Sequence, residues 1–130
     1  MKPELTYLVL VTALTGLIWI PYVLDRIGTW GIADTVGYPE LPKPQSPWAR
    51  RMKAAHANAT ENLVVFATLV LTASVAGVSN AATVFAATLY FWARLVHLIA
   101  YNFAVPWVRT LAFAAGFVAQ AIFVWELMHP

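Results

Sequence analysis

Four long apolar runs divide this chain, and the polar positions between them are few. From Leu5 to Leu24 no charged residue occurs in twenty positions, enough at about 1.5 Å per residue to cross a hydrocarbon layer of about 30 Å. A cleaved leader would carry a shorter apolar core of about 7 to 15 residues and a small-residue cleavage site. This run closes instead on Pro-Tyr-Val-Leu-Asp-Arg, so it is expected to stay as the first span. Residues 25–50 change character: Gly28, Gly31 and Gly37 precede Pro39, Pro42, Pro44 and Pro47, a spacing that interrupts a helix and favours extended or turn backbone. That segment is expected to be an aqueous loop. The second span is expected at about 54–78, with Ser46 as a candidate cap and Pro47 an acceptable first helical residue. "GVSN" at 77–80 reads as a turn, a third span follows at 81–102, and Pro106 separates it from a fourth at about 108–127. The spans share apolar composition but no internal repeat.

Composition turns these runs into a class. With 61% hydrophobic and 11% charged residues over 130 positions and a mean hydropathy of +0.68, the chain lies far from the soluble balance of roughly half apolar and about a quarter charged. The expected fold is therefore an all-α integral membrane four-helix bundle forming a single domain over residues 1–130, surrounded by lipid. Arg26, Lys43, Arg50, Arg51, Lys53 and Arg109 fall on one side of it, while only Lys2 falls on the other. By the positive-inside rule the 25–53 loop faces the cytoplasm and both termini face out, as in a bacterial inner membrane or an endomembrane. A net charge of +2, scattered along the chain, excludes nucleic acid as a partner, because phosphate binding needs a dense basic patch. The absence of cysteine excludes disulfides and a protein thiol nucleophile, so any thiol chemistry belongs to a ligand.

Polar groups inside spans then carry the functional signal. A charged side chain at a span centre costs roughly 2.5 to 3.5 kcal/mol, and Glu61 and Arg94 both fall within spans. Asn58, Glu61 and Asn62 form one polar stripe beginning a turn after His56, and Arg94, His97 and Tyr101, at i, i+3 and i+7, form another. Facing each other, the stripes would make one site. Alternatively Glu61 and Arg94 pair across helices while the asparagines add interhelical hydrogen bonds, and His97 and Tyr101 serve as interfacial anchors, as Trp30, Trp48, Trp107 and Trp125 are expected to do. His56, His97 and His129 lack metal-ligand spacing, and no serine or threonine has a local histidine base.

Two motifs resemble a known family. "RMKAAHANATENLVVF", residues 51–66, is similar to the R-x-x-R-A-H/Q-x-N-x-x-E-N/Y pattern entering the second helix of the MAPEG family, the membrane-associated proteins in eicosanoid and glutathione metabolism. "RLVHLIAYNFAVPWVRTLAF", residues 94–113, resembles that family's third helix, short loop and fourth-helix start. The resemblance implies a homotrimer with glutathione as co-substrate in clefts between subunits near the cytoplasmic side. It also implies a transferase or peroxidase acting on a small hydrophobic electrophile. Asn58 and Glu61 would meet the tripeptide's polar groups, Glu61 its α-amino group. Arg26 and Arg94 would add cationic contacts, His97 and Tyr101 would line the cleft, and Arg109 would be the catalytic residue beside the sulfur. No metal is implied. The pattern is broken at Ala54, where the family often has an arginine, and at Phe113, where its eicosanoid enzymes have a tyrosine.

Two rivals stand beside this expectation. One is a catalytically silent ligand-binding member of the same family. The other is a small four-span exporter, although those proteins carry their intramembrane glutamate in the first span, where this chain has none.

Overall fold

A computed structural model describes all 130 residues and contains six helices: α1 Pro3–Leu17, α2 Trp19–Trp30, α3 Ile32–Val36, α4 Pro47–Ala76, α5 Ala81–Asn102 and α6 Pro106–Met128. Together α1 and α2 make one span, Pro3–Trp30, and α4, α5 and α6 make the other three, each long and apolar enough to cross a membrane. The first span is broken at Ile18. Pro21 has no N–H for the Leu17 carbonyl and its ring crowds that carbonyl, so α1 stops at Leu17 and α2 restarts one residue later.

Helix α2 runs beyond the expected loop boundary at residue 25 and ends where Gly31 takes φ 81°. The apolar pattern stops at Asp25, but the helix continues because Asp25 has partners in the returning chain. Its carboxylate accepts hydrogen bonds from the Ser46 backbone N–H (3.1 Å) and the Ser46 hydroxyl. Gln45 donates to the Tyr22 carbonyl at 2.8 Å, and Trp30 donates to the Lys43 carbonyl. Residues 38–46 are thus non-helical, with a bend at 40–41, and residues 43–46 return to α2 through these bonds. Ser46 occupies the N-cap position of α4, but its side chain makes no capping bond because it is committed to Asp25. The second helix begins at Pro47, the expected first helical residue, seven residues ahead of the expected span.

The core lies where α1, α4, α5 and α6 meet. Phe66 of α4 stacks on Tyr90 of α5 (centroids 3.8 Å apart, planes 7° apart) and meets Phe123 of α6 edge-on at 5.9 Å. Alanine dominates the buried helix faces: Ala73, Ala86, Ala87 and Ala119 share the core with these rings, and Ala55, Ala59, Ala93, Ala100 and Ala112 are buried elsewhere along the bundle. In lipid, helices gain little by hiding apolar surface from one another, and small residues let the backbones approach closely enough for dispersion to hold them. Many large apolar side chains, such as Val64, Phe85, Trp92 and Phe117, are exposed on the outside of the bundle, consistent with lipid contact.

At the end of the bundle opposite the 25–46 segment, Asn80 and Thr83 form a reciprocal capping box at the start of α5. Glu4 is buried there, accepting hydrogen bonds from Ser79 (2.8 Å) and Thr83 (2.6 Å). Sequence position alone leaves Glu4 in water before the first span; the hydroxyls of the α4–α5 turn draw it in.

Candidate functional site

The polar residues of α5 converge on α4. Arg94 is only 4% exposed, and its guanidinium donates to Asn58 Oδ1 at 2.8 Å and to His97 Nδ1 at 3.4 Å. A guanidinium can only donate, so both partners must accept through these atoms. Asn58 is thereby oriented with its Nδ2 free, and neutral His97 carries its proton on Nε2. The network reaches a second turn of α4 and then α6: Asn62 donates to the Asn58 carbonyl at 2.9 Å, and Gln120 to the Asn62 carbonyl at 3.3 Å. Arg94 Nε remains buried without a partner.

Beside this network lies an open cavity of about 320 Å³ lined by Asn58, His97, Tyr101, Arg109, Thr110 and Phe113. Arg109, one turn into α6, places its guanidinium 5.2 Å over the Tyr101 ring, a cation–π arrangement that gives the charge a fixed lateral position. His97 packs between Tyr101 and Phe113, with ring centroids 5.7 Å and 6.4 Å away. No acidic residue lines the cavity. The Asn58 amide, the His97 Nε2–H, the Tyr101 hydroxyl and the Arg109 guanidinium give it a lining dominated by donors. Such a lining suits carboxylate, carbonyl or thiolate groups and disfavours a cation.

The structure brings together four of the residues expected to form the site, Asn58, His97, Tyr101 and Arg109, with Arg94 holding two of them from behind. Glu61 and Arg26 lie elsewhere. Glu61 is exposed and lines a different cavity, with Tyr22, Lys53, His56 and Thr60; Tyr22 and His56 share a hydrogen bond of 2.7 Å there. Three residues on from Asn58, Glu61 is turned about 60° around α4, so the two stripes face each other through Asn58, Arg94, His97 and Tyr101 while Glu61 lies outside that facing. The alternative Glu61–Arg94 pairing is absent, since the Arg94 guanidinium is taken by Asn58 and His97. Arg26 extends from α2 over Trp30, 4.9 Å from its ring, and donates to Gln45 at 3.5 Å. Helix α2 packs on α4, away from the α5 and α6 side chains of the donor-lined cavity.

Sequence reasoning missed Thr110 as a lining residue. Its hydroxyl is satisfied by the Pro106 carbonyl at 2.9 Å, so nothing in its own chemistry advertised it. Phe113 lies four residues after Arg109 on the same face of α6, a spacing that places it in the cavity.

The MAPEG family model matches residues 8–129 of the 130. The chain belongs to the MAPEG family. No curated protein matches this sequence at a significant level. Membership makes it a multi-pass membrane protein of a family whose members generally use glutathione. This MAPEG chain carries both of its motifs on the expected elements: residues 51–66 lie in α4, and residues 94–113 cover the end of α5, the connecting turn and the start of α6.

Proposed function

We propose that this MAPEG protein binds glutathione in the donor-lined cavity and uses its thiolate as a nucleophile toward a hydrophobic electrophile, as a transferase or peroxidase. The observation that carries this reading is the cavity's charge pattern: Arg109 is its one charged residue, fixed over Tyr101, among neutral donors. A free thiol has a pKa of about 8.5, so most of it is protonated at neutral pH. A guanidinium held beside the sulfur favours the thiolate without itself gaining or losing a proton. Asn58 and His97, oriented by Arg94, would receive the peptide's carbonyl or carboxylate oxygens.

The functional assembly is inferred to be a homotrimer with the site between subunits. Arg26 lies on the α2 side of α4, so its guanidinium would meet a ligand in the cavity by reaching into that of a neighbouring copy. Glu61, exposed on α4 in the cavity with Tyr22 and His56, is suited to the ligand's α-amino group. The 25–46 segment and Arg109 are inferred to face the cytoplasm, where Lys and Arg are concentrated. Phe113 favours one second reading, a silent ligand-binding member, because it brings an apolar ring where a hydroxyl could have assisted the chemistry.

Purified protein in mild detergent is predicted to bind glutathione in a titration calorimeter and to conjugate it to an apolar electrophile. Binding without conjugation would select the silent-member reading. Absence of binding would remove glutathione from the account altogether.

A further inference from the structure

The connection between α5 and α6 sets where Arg109 stands, and each carbonyl at the end of α5 is accounted for. Phe103 N–H bonds to the Ile99 carbonyl (3.1 Å), Val105 N–H to that of Ala100 (2.9 Å) and Ala104 N–H to that of Tyr101 (3.2 Å). The pairs 105→100 and 104→101 are the two bonds of a Schellman cap, whose turning residue adopts the left-handed conformation. Here that residue is Ala104 at φ 56°. One carbonyl is left, that of Asn102, and its donor comes from another helix: Arg51 Nε of α4 bonds to it at 3.0 Å. The bond also sets a cation against the negative end of the α5 dipole. Four residues after Val105, the Arg109 N–H bonds back to the Val105 carbonyl at 3.1 Å, so α6 grows directly out of the cap.

We propose that Arg51 is a positioning residue for the site: by holding the Asn102 carbonyl it fixes the α5–α6 cap to α4, and so fixes Arg109 relative to Asn58. Two walls of the cavity, α4 with Asn58 and α6 with Arg109, are also joined by the Gln120–Asn62 hydrogen bond, but Gln120 lies three turns along α6 from Arg109. Ala104 supplies the reason a tie is needed. A non-glycine residue in the left-handed region costs about 1 to 2 kcal/mol, so the cap is a strained turn and gains from an external hold. The assignment of a catalytic consequence rests on the reading of Arg109 as the group beside the thiol; the mechanical role of Arg51 does not.

Two measurements on the full-length protein in detergent separate these. Amide hydrogen exchange of residues 103–109 reads the cap directly, and glutathione conjugation kinetics read Arg109. Arg51→Gln should speed exchange at Phe103, Ala104, Val105 and Arg109 by roughly tenfold or more, with the rest of α5 protected. It should lower kcat by roughly ten- to a hundredfold while the KM for glutathione moves little, the signature of a displaced reacting group. Arg51→Lys, which keeps the charge at the helix end, should recover part of both effects, and Arg50→Gln, altering an exposed neighbour, should change neither. Unchanged exchange in Arg51→Gln overturns the proposal, whatever the activity. Faster exchange with unchanged kcat, or a parallel loss of protection through all helices, overturns the positioning role. If the wild type conjugates no thiol, the reading of the cavity fails, and exchange alone still decides whether Arg51 holds the turn.

Discussion

Arg94 shows how a charge can be kept inside a span without an opposite charge. Its guanidinium is stabilised by neutral acceptors on two helices, and those bonds fix which way Asn58 and His97 present their remaining donors. Asn58 is therefore both a partner of the buried arginine and a wall of the cavity. Asn58→Ala should lower glutathione affinity by roughly tenfold and also destabilise the fold by about 1 to 3 kcal/mol, since a donor of Arg94 is left unpaired. Asn58→Asp should restore the acceptor for Arg94 yet remain impaired in binding, because the free donor becomes a second carboxylate oxygen. Isothermal titration and thermal unfolding of the two variants check this; equal affinity for Asn58→Asp and wild type would mean that Asn58 does not touch the ligand.

At the level of the elements, the turn residue Ala104 offers a direct check on the cap. Ala104→Gly removes the steric cost of φ 56° but adds freedom to the unfolded chain, and the balance should favour the folded state by roughly 0.5 to 1 kcal/mol. A thermal midpoint at or below that of the wild type would contradict the cap described above. Some element boundaries were legible from local signals: the third span at 81–102 coincides with α5 because Asn80 caps one end and the turn before Pro106 closes the other. The kink at Ile18 was written in Pro21 but concealed by the uninterrupted apolar run. The start of α4 at Pro47 was legible from Ser46 and Pro47 themselves, whereas the extension of α2 to Trp30 was not, because it depends on Asp25 meeting Ser46 across twenty-one positions. Periodicity likewise fixed the angle between Asn58 and Glu61 but not which neighbour each would face. Hence the donor-lined cavity was legible as Asn58, His97, Tyr101 and Arg109, while Glu61 turned toward Tyr22 and His56.

For the whole molecule, the separation of Arg26 from the Arg109 cavity within one subunit is the strongest reason to expect a shared site. If Arg26 serves a neighbour's ligand, Arg26→Ala and Arg109→Ala subunits should complement each other. Random co-assembly would leave about a quarter of the interfaces with both arginines intact. Conjugation by co-expressed, mixed assemblies should then exceed that of either variant alone, and separately purified variants mixed without exchange should not. Lack of complementation in verified mixed assemblies would place Arg26 outside the site.

The central claim is that Arg109 holds a glutathione thiolate in the cavity, and the ultraviolet absorbance of the bound thiolate, followed against pH, tests it most directly. The wild type should show thiolate at neutral pH. Arg109→Ala should move its appearance upward toward the free-thiol value of about 8.5, while glutathione affinity falls less than the rate of conjugation. Arg109→Lys should lie between, keeping the charge but losing the planar fork. Bound glutathione with no thiolate at neutral pH, or an Arg109→Ala titration that overlays the wild type, would contradict the account and leave Arg109 as a cation that only orients α6.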